Sequence, residues 1–189
     1  MKRVRRSAGV DKTRNLALIA VFAILNGVCA WITVPGAVPL TMQSFAVYLT
    51  YLMLGAGRGM ASVGSYLLLG VLGLPVFSGG TAGIGILIGK SGGYMLGWLV
   101  MGLLLWCAER LGEKGGRLKI FALLLGTAVS YALGAAWFLT VYTEPAALDV
   151  SRVIVMCVLP FLLPDMLKLF LAHRVSLRLK RAMTFKGAK

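Results

Sequence analysis

The amino-acid sequence predicts an all-α integral membrane protein, with six transmembrane helices around an outward, loop-lined ligand pocket and both termini in the cytoplasm. Three observations carry that expectation. Of 189 residues, 59% are hydrophobic and only 14% charged, with a mean hydropathy of +0.86, so the chain lacks the polar surface of a soluble domain. The charges also fall in clumps, leaving uncharged gaps between Arg14 and Arg58, Arg58 and Lys90, Lys90 and Glu109, and Lys119 and Glu144. Finally, the stretch 64–97 carries a glycine every few residues in an apolar background, with Lys90 as its one charge. Such backbone cannot form a single straight helix. Each unpaired N–H or C=O in hydrocarbon costs several kcal/mol, so this segment must be buried in protein or line a cavity.

Taken in order, the chain reads as a basic cytoplasmic N-terminus (1–15), a six-helix substrate-binding membrane domain (16–172) and a basic cytoplasmic C-terminal segment (173–189). The apolar run at 15–57 is long enough for two passes at about 20 residues each. The first span is expected over 16–32. Its small residues Ala20, Ala23 and Gly27 would let another helix approach closely, either from within the chain or from a separate subunit. The linker 34–43 is uncharged, stiffened by Pro35 and Pro39, and reads as a lid or re-entrant loop. A short second span over 44–54 ends at a tight turn, 55–59, and a third over 60–74 stops at Pro75. The glycine-rich loop 76–93 follows. A fourth span (94–108), a charged turn (109–119), a fifth span (120–142) and a polar hairpin (143–151) lead to a sixth (153–172), broken by Pro160 and Pro164.

With six spans, 17 of the 20 Lys and Arg residues fall on the side of the two termini, and only Lys90 and Arg152 on the other. That bias places the termini in the cytoplasm of a multi-pass cell-membrane protein. The proline linker and the glycine-rich loop then face outward together. The formal charge of +14 is accordingly an orientation signal, not a nucleic-acid footprint. Cys29, Cys107 and Cys157 lie in apolar segments without metal-ligand spacing, and read as buried thiols. The basic stretch 174–181, with Leu177 and Leu179 interspersed, reads as an interfacial helix over anionic lipid.

Asp165 and Lys168 are three apart, so on a helix they share a face. Placing either in lipid costs roughly 2.5 to 3.5 kcal/mol on insertion scales, which makes an intramembrane pair a functional candidate, with a self-satisfied structural ion pair as the alternative. Pro164 suits the first turn of a half-helix, whose N-terminus would favour the carboxylate. Lys90 is the only cation in the outward loop, beside Ser91 and shortly before Tyr94, an arrangement suited to a ligand carboxylate. The run 85–91 imitates a phosphate-binding loop, but the required first glycine would fall at Ile84. No nucleophile–base pair, metal-ligand cluster or ATPase motif is present, so the chain reads as neither an enzyme nor a metalloprotein.

Five segments, at 41–45, 54–59, 70–77, 89–94 and 160–168, resemble the BioY family, the biotin-binding S-components of energy-coupling factor (ECF) transporters. Among them are the runs Gly-Leu-Pro-Val-Phe and Asp-x-x-Lys. The resemblance covers about residues 16–172. It implies that biotin is bound on the outer face and delivered inward with a coupling transmembrane subunit and a pair of cytoplasmic ATPases. On that likeness Asp165 and Lys168 would meet the ureido head, Lys90 and Tyr94 the valerate carboxylate, and Gln43, Phe77, Ser78 and Thr81 would be further contacts from the two loops. Docking would use the small residues Ala20, Ala23 and Gly27, of which Ala23-xxx-Gly27 is the nearest match to the AxxxA motif in the family's first helix. Biotin would be cargo, with no resident cofactor. Two other readings stay open: a solitary proton-coupled carrier, and an intramembrane enzyme using Asp165.

Overall fold

The computed structural model describes residues 2–36, 38–111, 116–141 and 150–186. Among the described residues, five helical stretches are long and apolar enough to cross a membrane. Helix α1 (Lys2–Trp31) begins in the basic N-terminal segment and runs unbroken through the first expected span. The linker after it is not a helix but a two-residue antiparallel ladder, β1 (Thr33–Val34) with β2 (Leu40–Thr41), the only strands among the described residues. Pro35 and Pro39 flank its turn, which limits the ladder to the residues between them and the helices.

Helix α2 (Gln43–Val71) contains the second expected span and the third as far as Val71, three residues short of its expected end, with a single non-helical residue, Gly55 (φ 76°, ψ −177°). The chain reverses there. Gln43 Nε2 donates to the hydroxyl of Tyr66, although 23 residues of straight helix would hold the two roughly 35 Å apart. Likewise, a Cβ added at Gly59 would lie 2.5 Å from Cδ1 of Tyr51. The expected five-residue turn at 55–59 is thus one residue long. Its conformation is one that only glycine adopts readily, and the helix ends it creates are capped from elsewhere. The Ala56 N–H donates to Glu109 Oε2 (3.2 Å), and Arg58 Nε donates to the Leu54 carbonyl (3.1 Å).

The loop after α2 holds a 3-10 turn (Ser78–Gly80) and a single helical turn, α3 (Ile84–Leu87). Helices α4 (Gly92–Arg110) and α5 (Gly116–Val141) then pack closely, because small residues face the contact: Gly93 and Gly97 on α4, and Ala122, Gly126, Ser130 and Gly134, every four positions, on α5. A Cβ at Gly97 would lie 2.5 Å from Ser130, and one at Gly134 would lie 2.4 Å from the ring of Tyr94. The final span is α6 (Val150–Cys157) followed by α7 (Leu159–Lys186), with the break at Val158. Pro160 opens α7 and Pro164 lies inside it, which moves Asp165 out of the first turn. A helix N-terminus therefore does not hold its carboxylate; side chains do, as described below. The expected hairpin at 143–151 falls mostly on residues 142–149, and the middle of the charged turn on 112–115, outside the described residues. Of the cysteines, Cys29 and Cys157 are buried, whereas Cys107 is exposed on the outer surface of α4.

Charge sorts the two ends of the bundle. At one end Lys119 pairs with Glu109 (3.0 Å), Arg58 donates to Asn15 (2.8 Å), and Lys180 lies within electrostatic reach of both Lys119 and Glu109. The other end carries the ladder and the glycine-rich loop. Trp31 Nε1 donates to the Pro75 carbonyl (2.8 Å) and Thr33 shares a hydrogen bond with Ser78 (3.0 Å), joining the linker to the loop.

Candidate functional site: a cavity beneath the ladder

A cavity of about 650 Å3, its open mouth included, lies at the loop-bearing end between α2, α4, α5 and α7. Five aromatic side chains stand in its walls: Tyr48 from α2, Tyr94 and Trp98 from α4, Tyr131 from α5 and Phe161 from α7. The α4–α5 small-residue contact puts Tyr94 against Gly134, and the Tyr94 hydroxyl donates to the Cys157 carbonyl (2.8 Å), tying α4 to the end of α6.

The polar groups gather where the start of α2 meets α7. Asp165 and Lys168 are 5% and 6% exposed and form an ion pair of 2.8 Å. Ser44 donates to Asp165 Oδ1 (2.7 Å), and Tyr131 to Oδ2 (2.8 Å). The Lys168 ammonium donates to Oδ1, to Ser44 Oγ (3.0 Å) and to the Thr41 carbonyl at the end of β2 (2.7 Å). All three of its N–H donors are therefore engaged. Each carboxylate oxygen can accept two hydrogen bonds; Oδ1 accepts two, while Oδ2 accepts one. The arrangement thus presents one acceptor position on an oriented carboxylate, within an aromatic cavity, to any ligand bearing an N–H. It offers no hydrolytic or redox machinery.

Of the eight expected ligand contacts, the structure brings five together on the cavity: Gln43, Ser78, Tyr94, Asp165 and Lys168. Three lie elsewhere. Phe77 is fully buried (0% exposed) between Gly70 and Tyr66, edge-on to the tyrosine at 5.7 Å, and anchors the loop from beneath. Thr81 is exposed and donates to the Ser78 carbonyl (2.9 Å). Lys90 is exposed, although its neighbour Ser91 lines the cavity. Of the docking trio, Ala20 is exposed, whereas Ala23 and Gly27 are buried within the chain; a Cβ at Gly27 would sit 3.2 Å from that of Val76. The small-residue step is filled by the chain's own loop. Ser44 and Tyr131, which hold Asp165, escaped sequence reading. The available signal was a polar face, Thr127, Ser130 and Tyr131, at helical spacing inside an otherwise apolar span.

The BioY family model matches residues 2–185. The chain belongs to the BioY family. It is 36% identical over 173 residues to the "Biotin transporter BioY" of Thermotoga maritima, covering 89% of this chain and 96% of that protein. It is 33% identical over 170 residues to the "Probable biotin transporter BioY" of Pyrococcus horikoshii, covering 89% and 98% respectively. The fold resembles the crystal structure of the S-component for biotin from an ECF-type ABC transporter. The TM-score is 0.79 at 24% identity, covering 90% of this chain and 93% of that one. The BioY match includes every element around the cavity, from β1 to α7.

Proposed function

We propose that this chain is the substrate-specific component of an ECF-type importer, which binds biotin on the outer face and passes it inward with a coupling transmembrane subunit and two cytoplasmic ATPases. The chain crosses the membrane six times, because α2 doubles back at Gly55, and both termini lie in the cytoplasm with the charge-rich end of the bundle. The observation that carries this reading is the oriented Asp165 carboxylate, with an acceptor position on Oδ2, inside an aromatic cavity of a protein whose relatives are named biotin transporters. A ureido N–H meets that position, the apolar rings and chain lie along the aromatic walls, and the valerate carboxylate reaches the mouth near Ser78, Ser91 and Lys90. Gln43 and Tyr94 flank the ligand, while Phe77 and Thr81 hold the loop. Lys168 reaches the ureido head only by giving up one of its three present acceptors.

The relatives' transporter names argue against an enzyme using Asp165. The test is equilibrium binding of radiolabelled biotin to the purified chain, followed by uptake in cells with and without the ATPase pair. Saturable binding with uptake only when the ATPases are present is expected. Absent binding sinks the proposal, and undiminished uptake without the ATPases makes the chain a solitary carrier.

A further inference from the structure

Away from the cavity, a strongly charged surface lies on α7. Arg174, Arg178 and Arg181 recur at i, i+4 and i+7, which at 100° per residue confines them to about 60° of the helix surface. Leu169, Ala172 and Ser176 are buried on the opposite side, so the arginine stripe points directly away from the bundle. With Leu171, Val175 and Leu177 the three arginines line one shallow groove. Among the described residues no carboxylate pairs with any of them.

Depth identifies what the groove faces. Lys180 lies within electrostatic reach of Glu109 and Lys119, where α4 ends and α5 begins. Arg174 is six residues nearer the apolar part of α7, about 9 Å along the axis, and its guanidinium stacks on the ring of Phe170, one turn deeper still, at 5.2 Å. With the charged residues near 109, 119 and 180 taken as the headgroup level, an outward-facing arginine about 9 Å deeper lies toward the acyl chains, where an anion stabilises it. The acidic face of a soluble protein stops at the headgroups; a phosphate carried by a lipid does not.

We propose that this groove is a site for the phosphate of an anionic phospholipid, held by Arg174, Arg178 and Arg181, with acyl chains lying on Leu171, Val175 and Leu177. Guanidinium groups grip phosphate oxygens in pairs, and the interleaved aliphatic side chains accept the tails, so the site matches both parts of one amphiphile.

Native mass spectrometry of the full chain in micelles containing equimolar phosphatidylglycerol and phosphatidylcholine tests this. Three arginine contacts predict a preference for phosphatidylglycerol on the order of 100-fold. It should fall about fivefold in Arg178→Gln and vanish in the combined Arg174→Gln, Arg178→Gln, Arg181→Gln variant, which retains biotin binding as proof of folding. A charge-matched control, Lys12→Gln, Arg14→Gln, Arg117→Gln, should keep it. Equal binding of both lipids by the wild type, or equal loss in the control, overturns the site. Displacement of phosphatidylglycerol by millimolar glycerol 3-phosphate makes the ligand a soluble phosphate and overturns the lipid assignment. A triple variant that keeps the lipid preference but no longer co-purifies with the coupling subunit shows a protein-docking face instead.

Discussion

Three donors converge on Asp165, and their geometry ranks the residues around it. A hydrogen bond to a charged group is worth roughly 1.5 to 3 kcal/mol, so Asp165→Asn should weaken biotin on the order of 10-fold to 150-fold by titration calorimetry, with the protein still monodisperse. Unchanged affinity with only a lower unfolding temperature would make the ion pair purely structural. Lys168→Met is a harsher change. It leaves a buried carboxylate without its cation and cuts the bond to the Thr41 carbonyl, a loss of roughly 3 to 5 kcal/mol where a buried pair is broken. Its unfolding temperature in detergent should therefore fall well below that of Asp165→Asn; if the two variants melt together, the tether adds nothing. At the mouth, Lys90→Met should weaken biotin more than biotin amide, because only the acid has a carboxylate to lose. Equal losses for the two ligands would remove Lys90 from the site.

Among the elements, the reversal in α2 depends most on one residue. Gly55 adopts a backbone conformation that costs side-chain-bearing residues about 1 to 3 kcal/mol, and an added Cβ would sit 3.1 Å from the Glu109 carboxylate that caps the following half-helix. Gly55→Ala should lower the unfolding temperature while leaving biotin affinity nearly unchanged, since the cavity lies at the opposite end; a large affinity loss with normal stability would contradict that separation. Both halves of this hairpin were legible as apolar runs flanking Arg58, and the loop was legible from glycine density, although only its Ser78 and Ser91 reach the cavity. The one-residue reversal was not, because the cap on the following half-helix comes from Glu109 on α4, a contact that no local pattern encodes. Phe77 was misplaced for a similar reason. Its sequence neighbours are loop residues, but its packing partners are Gly70 and Tyr66 on α2, which make it core. Asp165 and Lys168 were found from charge in an apolar span, whereas Ser44 lies 121 residues from the carboxylate it serves, a distance that only the fold closes.

For the molecule as a whole, charge-rich and loop-rich ends predict sidedness. In a background lacking Cys29, Cys107 and Cys157, Thr81→Cys should react with an impermeant maleimide in intact cells, and Lys186→Cys only after permeabilisation; the reverse pattern would invert the topology. Docking can be examined through Ala20, which is exposed, whereas Ala23 and Gly27 are not. Ala20→Trp should retain biotin binding yet lose co-purification with the coupling subunit, and a variant that still assembles would move the contact off this face. The turn at Gly55 also bears on how the chain enters the bilayer. Its leading half, 43–54, is 12 residues long and reaches only about 18 Å, short of a hydrocarbon core about 30 Å thick. It is a poor candidate for recognition by the insertion machinery as a span in its own right. Because a single residue joins it to 56–71, closing the two halves together costs little chain entropy, and a preformed helical hairpin can partition as one unit. A nascent chain ending at Leu54 should therefore fail to hold that segment in the membrane, while one extended to Val71 should insert both halves at once, a difference that a glycosylation-site reporter placed after each end point would record.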